Sequence, residues 1–179
     1  MRHIPNLLSS FRILLIPFFA AYVVRGEMIW AAIVLIISGL TDLLDGFLAR
    51  RFQWVSQLGK ILDPVADKLT QITVCVLFFW FFGYQFRLFF AFLIFKELAM
   101  LVTGAYLLRK DVKLNGARWF GKVATVLFYA TMILIALFPA LPIAAKYAML
   151  ILICICELVS GLKYLPEFRL YRQQTKMAE

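Results

Sequence analysis

The chain has little that marks a water-soluble protein. Charged residues make up only 16% of its 179 positions, and no polar stretch is long enough for a soluble domain. Water cannot cover a chain that is 64% hydrophobic, with a mean hydropathy of +0.88. A soluble domain of this length is nearer half apolar. The three cysteines, Cys75, Cys154 and Cys156, sit in apolar runs and form no C-x-x-C pattern. They give neither a disulfide framework nor a metal site and read as core filler. Acidic residues are scarce, at 10 against 19 basic ones, for a net charge of +9. No basic soluble segment exists to hold nucleic acid, so the positive excess points to anionic headgroups and cytoplasmic loops.

A helix needs roughly 20 apolar residues to span a bilayer. Six such segments fit, near Asn6–Val24, Met28–Ala49, Ile61–Phe82, Phe86–Leu108, Phe120–Phe138 and Ile143–Leu162. Gly26, Gly83, Asn115-Gly116, Pro139 and Pro142 punctuate the connections. The expected fold is all-α: a single domain over 1–179 with six transmembrane helices. A short N-terminal juxtamembrane segment and an interfacial C-terminal tail flank them. The first run reads as a span and not a cleaved signal, since it lacks a small-residue cleavage site and further spans follow. With six spans, 13 basic residues fall on the side of the termini and 3 on the other. That places both termini at the cytoplasm. The stretch Lys163–Lys176 mixes aromatic and basic residues and suits the headgroup surface.

Four of the five aspartates, Asp42, Asp45, Asp63 and Asp67, flank one short loop at the cytoplasmic ends of the second and third segments. Asp42 and Asp45 share a helix face, as do Asp63 and Asp67. Two antiparallel helices would set those faces against each other. One Asp in a span costs about 2.5–3.5 kcal/mol at the bilayer centre, so the group needs compensation. Arg50, Arg51 and Lys68 can supply part of it. An oxygen-only ligand set suits Mg²⁺, Mn²⁺ or Ca²⁺. A salt-bridged helix pair is the structural alternative. Gly46 and Gly59 admit a close ligand, and Arg50 can grip a phosphate. Together these residues describe a pyrophosphate site at a membrane face.

Asp42 to Asp67 reads D-L-L-D-G-F-L-A-R-R-F-Q-W-V-S-Q-L-G-K-I-L-D-P-V-A-D. It fits D-x2-D-G-x2-A-R-x8-G-x3-D-x3-D at every specified position, and so resembles the CDP-alcohol phosphotransferase family over nearly the whole chain. That resemblance implies phospholipid biosynthesis with CDP-diacylglycerol as donor, an alcohol as acceptor and CMP as leaving product. It implies that Asp42, Asp45, Asp63 and Asp67 ligate metal, Mg²⁺ or Mn²⁺, as a pair of ions, with Asp67 also the general base. Gly46, Ala49, Arg50 and Gly59 would line the CDP pocket. It further implies a homodimer in a bacterial cytoplasmic membrane, with the site facing the cytoplasm.

The opening Pro5–Arg12 also resembles the family. Asn6, Ser9 and Arg12 can share a nucleotide-facing pocket, or serve as helix cap and snorkelling cation. Leu62–Lys68 looks closest to bacterial phosphatidylglycerophosphate synthases, whose acceptor is glycerol 3-phosphate. Lys96, Arg118 and Lys122 are candidate anchors for that phosphate. An internal Lys96–Glu97 ion pair is the structural alternative, and Glu157 can pair with Lys96 or Lys122 or face the outer shell of the metal site. Gly121-Lys122-Val123-Ala124-Thr125 and the absence of a basic residue in Leu98–Ala105 look more like cardiolipin synthases, which use phosphatidylglycerol. Inositol phosphate and serine are further acceptors within the family. A divalent-cation transporter also places carboxylates within spans. It predicts them near the midplane on several helices, whereas here they cluster at one face.

Overall fold

A computed structural model describes the backbone of residues 4–52, 57–109 and 118–178, and the side chains of 7–44, 52, 65–104 and 121–163. Six long helices make up the described chain, with no strand among the described residues: α1 (Ile4–Val24), α2 (Met28–Phe52), α3 (Gln57–Phe81), α4 (Arg87–Arg109), α5 (Arg118–Leu137) and α6 (Ile143–Ala178). These match the six apolar segments of the sequence. Gly26 and Gly83 take positive φ, 75° and 137°, which lets the chain reverse tightly after α1 and α3. Pro139 and Pro142 fall in the α5–α6 connection, where no helical N–H is lost.

The last helix departs from expectation. α6 runs unbroken for 36 residues, about 54 Å, through the stretch read as a separate interfacial tail. The helix continues past Lys163, with no glycine after Gly161 to stop it and Pro166 held within it.

The helices pack in a closed ring. α1 lies against α2 and α3, α3 against α4, α4 against α6, α6 against α5, and α5 against α2. Among the described residues α2 and α3 share no extensive contact of their own. α1 packs against both.

The ring carries its apolar surface outward. Leu88, Phe95 and Val102 on α4 are 80%, 73% and 68% exposed, and Leu14, Phe18, Ile29 and Leu152 are also exposed. Inside, Arg12, Gln71 and Glu97 are fully buried and Glu157 nearly so. Charged groups are almost never buried in soluble proteins unless paired. This inverted pattern is that of a membrane protein. Two helical windows, Leu7–Val24 and Ile143–Lys163, are long and apolar enough to cross a bilayer. Shorter apolar stretches run Met28–Leu44 and Gly121–Leu137.

One half of the interior is aromatic. Phe78 stacks on Phe82 at 5.4 Å and meets Phe90 edge-on at 5.8 Å. Phe19 and Phe86 extend this cluster to α1 and the short turn before α4. Asp67 lies 11 residues earlier on α3, about 16 Å along the axis. The aromatic block thus closes one half of the ring and leaves the other for polar groups.

Candidate active site

Asp42 on α2 and Asp67 on α3 are the two motif aspartates with described side chains. They stand near each other in one electrostatic field, which Arg12, Lys68 and Glu97 share. Arg12 reaches Asp42 from α1, with Nη1 2.7 Å from Oδ1. Its side chain is wholly buried, so the snorkelling reading of Arg12 does not hold. Arg12 adds its charge to that of Lys68 in offsetting the carboxylate repulsion; the side chains of Arg50 and Arg51 lie outside the described set. Ser9, one turn earlier on α1, is buried with it.

Asp67 has three polar neighbours. The Gln71 amide, one turn on, donates to both carboxylate oxygens at 3.2 and 3.4 Å. The Tyr129 hydroxyl reaches Oδ1 from α5 at 3.4 Å. Lys68 Nζ stands 4.0 Å from Oδ2, but its closer partner is Glu97 on α4, at 2.7 Å. Lys96 bonds Glu97 at 2.9 Å and also Glu157 on α6. Lys96 is thus held between two carboxylates, the internal ion pair with Glu97 among them. Glu157 finds its partner in Lys96. Lys122 stands exposed in the first turns of α5.

The side chains of Asn6, Asp45, Gly46, Ala49, Arg50, Gly59, Asp63 and Arg118 lie outside the described set. Their backbone positions fall on helices. Asp45 and Gly46 follow Asp42 on α2, with Ala49 and Arg50 one turn further on. Gly59 and Asp63 precede Asp67 on α3, Asn6 is near the start of α1, and Arg118 opens α5. Among the described residues no group of three His, Cys, Asp or Glu side chains is gathered for a metal. Sequence reasoning passed over Gln71 and gave Tyr129 no role at the site. The signal for Gln71 was a lone amide inside an apolar run, placed four residues after Asp67. Nothing local marked Tyr129, which is 62 positions from its partner.

A helical membrane ring with paired carboxylates inside one half belongs to a recognisable class. A family model for CDP-alcohol phosphatidyltransferases matches residues 2–159, and the chain belongs to that family. Over 81 residues it is 43% identical to a CDP-diacylglycerol--glycerol-3-phosphate 3-phosphatidyltransferase of Pectobacterium atrosepticum, covering 42% of this chain and 43% of that protein. The Escherichia coli protein of the same name is 43% identical over 79 residues, covering 42% of this chain and 43% of its own. A CMP-forming cardiolipin synthase of Streptomyces coelicolor is 42% identical over 83 residues, covering 43% of this chain and 39% of the relative. The matches thus span about two fifths of the length of these relatives.

Proposed function

We propose that this chain transfers the phosphatidyl group of CDP-diacylglycerol to the hydroxyl of glycerol 3-phosphate and releases CMP. The observation that carries the reading is the eight-position motif on α2 and α3, whose half-buried Asp42 and Asp67 act on each other electrostatically. Family membership and the names of two relatives support it.

The donor set fits a hard divalent cation. The motif supplies carboxylate oxygens from two helices without histidine or thiol, an oxygen-only set that suits a hard cation and whose mutual repulsion such a cation would offset. Asp42, Asp45, Asp63 and Asp67 would hold Mg²⁺ or Mn²⁺. When bound, the metal supplies positive charge to the donor pyrophosphate. Asp67 takes the proton of the acceptor hydroxyl. The acceptor oxygen forms the new bond to the phosphatidyl phosphorus, and the bond from that phosphorus to the CMP oxygen breaks. Arg50, Gly46, Ala49, Gly59 and Asn6 would receive the CDP moiety. With Lys96 engaged by Glu97 and Glu157, recognition of the acceptor phosphate falls to Arg118 and Lys122. We further infer one domain with six spans and both termini at the cytoplasm of a bacterial inner membrane. The 13-to-3 distribution of basic residues supports that orientation. A homodimer rests on family resemblance alone.

A second reading has its own support. Ala124 within G-K-x-A-T, the engaged Lys96 and the Streptomyces coelicolor relative favour phosphatidylglycerol as acceptor, as in a cardiolipin synthase. One panel separates the two. Purified protein with Mg²⁺ or Mn²⁺ is given CDP-diacylglycerol and, in turn, glycerol 3-phosphate, phosphatidylglycerol, inositol phosphate or serine. CMP release with glycerol 3-phosphate is expected. Release with phosphatidylglycerol alone moves the assignment to the second reading, and silence with every acceptor removes both.

A further inference from the structure

Behind Asp67 runs a continuous polar chain, part-buried at Asp67, Lys68 and Lys96 and buried at Gln71, Glu97 and Glu157. Gln71 bonds Asp67, Lys68 bonds Gln71 and Glu97, and Lys96 joins Glu97 to Glu157. It crosses from α3 through α4 to α6. Its charges alternate, so two lysines and two glutamates cancel. Glu97 is fully buried and Glu157 almost so. A buried ion network stabilises little, because desolvation offsets its Coulomb gain; apolar side chains would join three helices at lower cost. The network therefore invites a role besides holding helices together.

Its chemistry has a forced direction. An ionised carboxylate only accepts hydrogen bonds, and an ammonium only donates them. Gln71 stands between one of each. Its Oε1 accepts from Lys68 Nζ at 3.1 Å, which leaves its Nε2 to donate to Asp67. Inverting the amide would face donor to donor and acceptor to acceptor. Lys68 thus fixes the Gln71 amide. Glu97 fixes Lys68, and Lys96 with Glu157 fixes Glu97.

We propose that Gln71 is a positioning residue for the Asp67 carboxylate, and that the Lys68–Glu97–Lys96–Glu157 ladder sets Gln71 from α4 and α6. The inference rests on the assignment of Asp67 above and adds the residues that aim it. Partners that orient a ligating or catalytic carboxylate are worth about 10- to 100-fold in activity or metal affinity.

The test uses Gln71→Met, which keeps volume and loses both hydrogen bonds, and Gln71→Glu, which keeps an acceptor for Lys68 but offers Asp67 no donor. Full-length protein in detergent is assayed for CMP release and, without substrate, for Mn²⁺ affinity by electron paramagnetic resonance. Both variants should lower kcat about 10- to 100-fold, with KM for CDP-diacylglycerol within about twofold and Mn²⁺ binding several-fold weaker. Glu157→Gln should lower kcat by about threefold to tenfold alone, and by less than about twofold in the Gln71→Met background. That non-additivity separates a relay from a general loss of packing. Full kcat in Gln71→Glu, or an equal Glu157→Gln effect in both backgrounds, overturns the proposal. If Gln71→Met does not fold, the Gln71→Glu and Glu157→Gln pair decides it by the same cycle. A wild-type protein silent with every acceptor instead overturns the function reading, and unchanged Mn²⁺ affinity in both Gln71 variants then overturns the positioning role as well.

Discussion

Two halves of one helical ring solve burial in opposite ways. Around Phe78, Phe82 and Phe90 the interior is held by ring contacts of 5.4 to 6.1 Å. Around Asp67 it is held by hydrogen bonds and ion pairs of 2.7 to 3.4 Å. Aromatic packing draws its stability from large buried apolar area in preferred ring geometries. A buried polar group has a strict partner requirement and loses heavily when that partner is removed. The aromatic half therefore supplies stability, and the polar half supplies geometry. α3 carries both, with Asp67 and Phe78 on the same helix, so a stiff apolar base supports the aimed carboxylate.

This contrast makes graded predictions. The largest effect belongs to Asp67→Asn. CMP release should fall about 10²- to 10⁴-fold, the usual worth of a general base, while the protein elutes and melts as the wild type does. Normal turnover in that variant would remove Asp67 as the base. Glu97→Leu comes next, because it strips Lys68 and Lys96 of a shared partner. Leaving buried charge uncompensated should cost about 3–5 kcal/mol in thermal or denaturant unfolding. Activity should be lost with it, which makes Glu97 the residue where the two halves' roles meet. An unchanged melting temperature would show that the ladder is dispensable.

Phe78→Ala should be the mirror image of Asp67→Asn. A cavity in the aromatic half should cost about 3 kcal/mol of stability, with kcat per folded molecule retained. A large fall in kcat at full folding would break the division between the halves. The smallest effect is expected of Tyr129→Phe. It removes one long hydrogen bond to the Asp67 carboxylate, worth about 1.5 kcal/mol, the low end for a charged acceptor, so kcat should fall about tenfold without loss of stability. A hundredfold loss would place Tyr129 among the groups that touch the reacting atoms.

Local rules made much of this legible in advance. Six apolar runs gave six helices, with Gly26 and Gly83 at the turns, because helix length and glycine conformation depend on neighbours in the chain. The Asp42–Asp45 and Asp63–Asp67 spacings put each pair on one helix face for the same reason. The Lys96–Glu97 pair was readable as adjacent opposite charges. Arg12 was visible as an oddity in an apolar run, but not its partner. A single helix shows which face a residue occupies and not which helix that face meets.

The sequence by itself determined the class of protein. It carries an apolar helical chain, a fixed carboxylate motif and the family to which both belong. Only the tertiary structure decided what surrounds Asp67. It packed α1 against both α2 and α3, so that Arg12 answers Asp42. It brought Tyr129 across the ring. It also placed Glu157 against Lys96, so that this lysine stands between two carboxylates. These contacts join residues 30 to 62 positions apart. Hydrogen bonds and ion pairs act over a few ångströms, and only the closed order of the helices brings such distant groups within that reach.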